Sequence, residues 1–420
     1  MFDYSQFPNK NILAVDMKSF YASVSAVLLG LDPLTCHLAV VGNTEREGSV
    51  VLAASPAMKR DFKIKTGSRK FEIPKDPRIV VVNPSMSLFV RVSTEIVKLF
   101  YRYVPPNKVH VYSIDESFLE LGPSDKWGTP QEIAKQIQYD IYSDFGLPST
   151  VGIGPNMLMA KLCLDLEAKK VDSGIATWTF NDVQKKLWPI SPLSEMWGIG
   201  KRTEKTLNRM GIFSIGQLAR YDLKLLESKF GILGNQLYHH AWGIDLSEIG
   251  APIMDGQVSY GKSQILLRDY KERKEIETVV LEMCEEVCKR ARKNHHAVRT
   301  ISFGLGYSRD EYGGGFNRSR TIENPTNVTM DVYKVCLDIM RENYRGQTVR
   351  QISVSLSKLV DDYEVQLDLF DNNSWKKRKI GYVVDELRNK FGPTSLLRAV
   401  SYTPGGTAVH RSKLVGGHRA

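Results

Sequence analysis

The run Asn11 to Asp16, N-I-L-A-V-D, is continuously apolar until a carboxylate closes it, which predicts a buried strand. Phe20, Val24 and Val27 then recur at helical spacing, so Ser19 to Leu28 predicts a helix. A second helical face comes from Val92, Ile96, Leu99 and Tyr103 within Leu88 to Tyr103. In Val109 to Leu121 two alternating runs flank Asp115-Glu116, which places the acidic pair at or beside a tight hairpin turn. Thr129-Pro130-Gln131-Glu132 is a capping box with proline at the first helical position, and Ile133, Ile137, Ile141 and Phe145 continue one stripe. Thr150 to Gly154 reads as a short strand or turn and Met157 to Ala168 as a helix. The resulting order, βα, αββα, βα, predicts a mixed sheet backed by helices.

From about residue 176 the pattern changes to short helices separated by glycine turns, notably Gly198-Ile199-Gly200 and Gly231-Ile232-Leu233-Gly234. Leu246 to Val258 has little periodicity and reads as a linker. Beyond it, strands over Ser259–Leu267, Arg299–Tyr307 and Gln351–Leu359 and helices over Lys274–Lys293 and Asn327–Tyr344 predict a further α+β unit, divided by the loop Gly313-Gly314-Gly315. Residues 371–420 carry 10 Lys/Arg against 3 Asp/Glu, densest at Trp375 to Lys379, and are expected to form an exposed, mobile tail.

Composition narrows the functional classes. At 420 residues, with 42% hydrophobic and 25% charged positions, the chain is expected to hold several globular domains. No run is long and apolar enough to span a bilayer, and the polar start Met1 to Ser5 has no signal-peptide pattern, so a cytoplasmic protein without a membrane partner is expected. Five scattered cysteines do not suggest a disulfide framework. Cys284 and Cys288, with His295 and His296 nearby, superficially suggest zinc, but their place in an amphipathic helix reads as core. Neither a dinucleotide fingerprint nor a Walker-type loop occurs, so ATP hydrolysis is not indicated. The net charge of +10 favours an anionic partner such as nucleic acid.

Asp16 at the end of a buried strand and Asp115-Glu116 at a hairpin would converge if their strands were neighbours. Three carboxylates repel one another unless a cation neutralises them, and oxygen-only ligands suit Mg²⁺. The bland alternative has Asp16 as a helix cap and Asp115-Glu116 as turn residues. Asp16-Met17-Lys18-Ser19-Phe20-Tyr21-Ala22 and Tyr112-Ser113-Ile114-Asp115-Glu116-Ser117-Phe118 resemble signature segments of Y-family translesion DNA polymerases. Val151 to Lys161 is similar to the family's third palm segment and Trp197 to Lys201 to its thumb hairpin. The resemblance covers roughly residues 10 to 370, and the bacterial UmuC/UvrX-like branch is the nearest.

The resemblance implies an α+β multidomain right-hand polymerase. Its palm would span 1–19 and 86–175, fingers 20–85, a helical thumb 176–247, a linker 248–257, an α+β little finger 258–365, and a clamp-binding motif with basic tail 366–420. It also implies a low-fidelity, DNA-templated polymerase that copies damaged DNA from dNTP substrates on primer-template DNA, within a DNA-damage (SOS) response. Asp16, Asp115 and Glu116 would be catalytic and hold two Mg²⁺ ions, with the backbone carbonyl of Met17 completing one site. Tyr21, five residues after Asp16, matches an aromatic steric gate beneath the sugar; ordinary core packing is its alternative. Arg60 and Lys169 match triphosphate-binding cations. The fingers match is imperfect, because Ala57 stands where several relatives carry a tyrosine and Lys63 replaces a common glycine. Around Lys169 the spacing departs by one residue.

Gly198, Gly200, Lys201 and Arg202 form a helix-hairpin-helix pattern whose backbone N–H groups suit a DNA phosphate. Lys289, Arg290, Arg292, Lys293 and Arg299 are further candidates to follow the DNA backbone. Gln366-Leu367-Asp368-Leu369-Phe370 resembles the pentapeptide that binds the bacterial sliding clamp. No residue specifies an accessory subunit. Two alternatives stand beside the polymerase: a catalytically idle DNA- and clamp-binding accessory protein, and a palm-fold nucleotidyl cyclase.

Overall fold

The computed structural model describes residues 2–122, 128–251, 259–309, 313–364 and 374–419. The chain divides into two units, Met1–Pro252 with His418–Ala420, and Ile253–Gly417.

The first unit is built on a five-stranded sheet of order β5-β6-β1-β7-β8, formed by β1 (Asn11–Met17), β5 (Val109–Val111), β6 (Glu116–Leu121), β7 (Ser149–Gly154) and β8 (Ile175–Thr177). β1 is central because its apolar run is buried on both faces. Leu13, Val15 and Met17 join one core with α1 (Phe20–Leu28), α3 (Met86–Phe100) and α4 (Pro130–Phe145). Ile12 and Ala14 face the opposite core, with α5 (Met157–Cys163) and the short helices that follow. Helix α4 starts where its capping box requires, Thr129 accepting from the Glu132 amide.

Between α1 and α3, the strands β2 (His37–Val41), β3 (Val51–Ala54) and β4 (Ile79–Val82), with α2 (Pro56–Phe62), make a separate three-stranded sheet. Its small core is Ala39, Val41, Val51, Ala54, Met58 and Ile64. After β8 come α6 (Lys201–Arg209), α7 (Ile215–Ala219), α8 (Leu223–Phe230) and α9 (Ile232–Ala241), the run of short helices expected from the glycine spacing.

The second unit is a four-stranded antiparallel sheet of order β11-β10-β12-β9. Its strands are β9 (Ser259–Tyr270), β10 (His296–Tyr307), β11 (Gly315–Thr326) and β12 (Val349–Asp361), packed on α10 (Arg273–Lys293) and α11 (Thr329–Asn343). Cys284 and Cys288 lie in this core, and among the described residues no group of three or more His, Cys, Asp or Glu is placed to hold a metal.

Two expectations are corrected here. The basic segment does not run out as an exposed tail, because Ser374–Phe391 forms α12 and folds back onto its own unit. Arg292 cannot follow DNA, because it is buried and its guanidinium binds Asp385 of α12 at 2.7 Å.

Candidate active site

Antiparallel pairing of β1 with β6 puts Asp16 directly opposite Glu116. Opposed residues share a sheet face, so the two carboxylates meet on one side. Asp115 is the last residue of the turn before β6; Ser113 Oγ donates to its Oδ1 at 2.7 Å, and its backbone carbonyl accepts from the Met17 amide at 3.0 Å. The hairpin is closed by Tyr112 and Ser113 amides donating to the Glu116 carbonyl, each at 3.0 Å. Asp16, Met17, Asp115 and Glu116 are therefore brought together by strand register. Met17 contributes only its backbone there, its side chain being buried in the core.

Two lysines complete the cluster. Lys161 Nζ lies 2.7 Å from Glu116 Oε2 and 3.0 Å from Asp165, with Lys161 and Glu116 side chains only 9% and 7% exposed. Lys169 Nζ lies 3.2 Å from Asp16 and 2.9 Å from Asp165. Burial raises the Glu116 pKa against the opposing Lys161 hydrogen bond, and burial likewise raises that of Asp16, Lys169 offsetting it and Asp115 adding to it. Burial also works against the charge of Lys169, but Asp16 and Asp165 carry its pKa above the ordinary lysine value.

Lys161 and Asp165 were missed in the sequence. The available signal was a lysine set between Leu158 and Leu162 on the buried stripe of α5, where a charge needs a partner. The one-residue departure before Lys169 also has a structural cause: Leu164–Ala168 is a π-helical turn, and the Lys169 amide donates to the Leu164 carbonyl five residues back. A π-turn absorbs one extra residue without ending the helix. It leaves Lys169 on the side facing Asp16.

Tyr21 is half-buried, and its ring stacks on Phe89 of α3 at 4.4 Å between centroids, 13° from parallel. Its tyrosine pKa is raised, by burial first and by the Asp115 charge second. Packing and a gate are thus compatible, with Phe89 bracing the ring. Arg60 does not join the cluster; it is exposed and paired with Asp61 at 2.8 Å. Lys59 reaches toward the cluster instead, donating to Ser19 Oγ at 2.7 Å, with its pKa lowered by burial and partly restored by Asp16. Lys63 sits at φ 59° as the cap of α2, a left-handed position that favours the glycine it replaces.

Gly198 adopts φ 91° and Gly200 caps α6; the space where either would carry a Cβ is open. The open turn leads directly into Lys201 and Arg202, both exposed. Gln366 to Phe370 lies outside the described residues.

The donor set fits a hard divalent cation in kind: all side-chain ligands are carboxylate oxygens. Glu116 Oε1 is buried and lacks a hydrogen-bond partner, which costs free energy unless a cation or water meets it. Lys161 and Lys169 bring positive charge to Glu116 and Asp16.

Residues 15–165 match the impB/mucB/samB family, residues 257–369 its C-terminal domain, and residues 181–212 the HHH motif of the IMS family. The chain is 64% identical over 420 residues to the "Putative UV-damage repair protein UvrX" of Bacillus subtilis, covering 100% of both chains. It is 40% identical to "DNA polymerase IV 2" of the same organism, covering 97% of this chain and 98% of that one. A solved Y-family DNA polymerase chimera, Dbh-Dpo4(243-245)-Dbh, matches with a TM-score of 0.65 at 19% identity over 83% of this chain and 99% of its own, which shows the α+β multidomain fold. The chain therefore belongs to the impB/mucB/samB family, in the UvrX-like branch of the Y-family DNA polymerases.

Proposed function

We propose that this chain extends DNA primers across damaged templates by metal-dependent nucleotidyl transfer from dNTPs, with Asp16, Asp115 and Glu116 as the carboxylates and the Met17 carbonyl beside them. The observation that carries this reading is the register of β1 on β6, which sets Asp16 against Glu116, whose Oε1 is buried without a hydrogen-bond partner. Two Mg²⁺ ions bound there would lower the pKa of the primer hydroxyl and screen the phosphate charge.

The protein's own residues do the rest. Lys161 holds Glu116 through Oε2 and leaves Oε1 free to meet a cation. Lys169, relieved of Asp16 once that carboxylate is neutralised, is within the cluster to meet a triphosphate oxygen, and Lys59 replaces Arg60 as the more suitably placed second cation. Tyr21, stacked on Phe89, walls off the sugar's 2′ position. We assign the palm to 1–19 and 86–175, the fingers to 20–85, the thumb to 176–247 and the little finger to 258–365. The turn at Gly198 and Gly200 takes a DNA phosphate with Lys201 and Arg202, and Gln366 to Phe370 takes the sliding clamp.

An idle accessory protein has no use for the buried charge that the cluster maintains. Primer extension with purified protein, Mg²⁺ and dNTPs on undamaged and lesion-bearing templates tests the proposal. Template-dependent products that pass the lesion are expected; DNA binding without any extension would leave the accessory reading.

A further inference from the structure

Helix α12 is turned inside out. Its polar side chains Arg378, Tyr382, Asp385 and Arg388 face the body of the second unit, and its apolar side chains face away. Arg378 donates to the Asp362 carbonyl at 2.6 Å, and the Tyr382 hydroxyl donates to the Asp362 carboxylate. Asp385 receives two hydrogen bonds from Arg292, and Arg388 binds Glu285 at 3.1 Å and the Leu396 carbonyl at 2.7 Å. Gly381 has no Cβ because one would meet the Arg292 guanidinium at 3.2 Å.

The opposite face repeats Ile380, Val383, Val384, Leu387 and Phe391 at helical spacing, with Ile380 61% and Phe391 64% exposed. Ile380, Val383, Val384 and Leu387, with Leu396, line an open groove of about 440 Å³. An amphipathic helix normally buries its apolar stripe, and a contiguous exposed stripe marks an interaction surface. Here a buried network of ion pairs fixes the orientation, so the helix cannot turn its stripe inward without unpairing Arg292 and Asp385.

We propose that this groove is the docking site for an acidic amphipathic helix from a partner protein. The anchors Ile380, Val383, Val384 and Leu387, at i, i+3, i+4 and i+7, suit a helix laid along them. The groove's charge selects the partner: Lys379 lines the groove and Lys390 follows on the same edge, and Glu386 is the one exposed acid among the described residues of α12. A second copy of this chain would bring two basic rims together, a like-charge juxtaposition that opposes self-association.

The test uses the full chain and a synthetic glutamate-rich helical peptide with leucine at positions i, i+3, i+4 and i+7. Fluorescence anisotropy should show micromolar binding that weakens at least ~10-fold in Val383→Ser/Leu387→Ser, since loss of buried anchors dominates such interfaces. Lys379→Glu should weaken it as well, and more so at low salt. The melting temperature should not move, because all three positions are exposed. Equal binding of a scrambled peptide of the same composition, or unchanged affinity in the serine variant, overturns the proposal. So does wild-type dimerisation in sedimentation that the serine variant abolishes, which would make a second copy the occupant. Failure of the wild-type chain to bind the peptide overturns it as well.

Discussion

Replacing Lys161 by methionine keeps the aliphatic stem and removes the ammonium, so Glu116 loses the partner of Oε2 while Oε1 already has none. Breaking a buried ion pair from one side costs about 3–5 kcal/mol. The lower end applies, because Glu116 can take up a proton and because Asp165, which shares the lysine, is partly exposed. For a unit of this size ~2–4 °C accompanies each kcal/mol, so about 3 kcal/mol corresponds to a fall of roughly 6–12 °C. The pH dependence follows from linkage. Burial holds the Glu116 pKa above its ordinary value and Lys161 opposes that rise, so the variant's Glu116 pKa moves further up. The destabilisation is therefore full above the raised pKa and fades as pH falls and the carboxyl is protonated. Metal-free melting of wild type, Lys161→Met, Glu116→Gln and the double variant across pH 5–8 measures the coupling, and Glu116→Gln should rescue most of the loss. A loss below ~0.5 kcal/mol, or one that is identical at both ends of the pH range, refutes the idea that Lys161 compensates a buried charge.

Tyr21→Ala should admit ribonucleotides, with rNTP discrimination falling by on the order of 10²-fold in single-nucleotide kinetics; an unchanged ratio would assign Tyr21 to packing on Phe89 alone. Lys169→Ala should raise the KM for dNTP more than Arg60→Ala does, because only Lys169 reaches the carboxylate cluster; the reverse order would favour the fingers arginine. Asp16 has a pKa raised by burial, so its folded form binds a proton more tightly than the unfolded chain, and its contribution to metal-free stability should decline as pH rises through the raised value. Asp16→Asn should flatten that part of the melting profile, and an unaltered profile would show that Asp16 is not buried in solution. Leu369→Ala with Phe370→Ala should abolish clamp binding in calorimetry, at about 2 kcal/mol per anchor, while extension without clamp persists; equal affinity would return Gln366 to Phe370 to a structural role.

The hairpin at Asp115-Glu116 was legible because alternation in β5 and β6 breaks at the acidic pair, and that break is the turn. The run in β1 was legible as buried on both faces, and with these two the opposition of Asp16 and Glu116 needed only their pairing. Lys161 was not legible by itself, because its partner lies 45 residues away in sequence. The π-turn left a trace as a spacing fault before Lys169, yet sequence spacing does not say whether an extra residue ends a helix or bulges it. β11 escaped because N-R-S-R-T is polar throughout, as suits the edge strand it forms. Helix α12 misled most: its basic composition reads as solvated, whereas Arg378 and Arg388 are turned inward onto Asp362 and Glu285. Composition reports how many charges there are and is silent on which of them find partners.

The central claim is that the carboxylates opposed across β1 and β6 perform the chemistry while DNA is held elsewhere. Primer extension and duplex binding measured in parallel for wild type, Asp115→Ala and Glu116→Ala test it most directly. The account predicts Mg²⁺-dependent extension by wild type, none by either variant, and near-equal DNA affinity for all three, since basic side chains away from the cluster supply that affinity. Extension by both variants at the wild-type rate would contradict it.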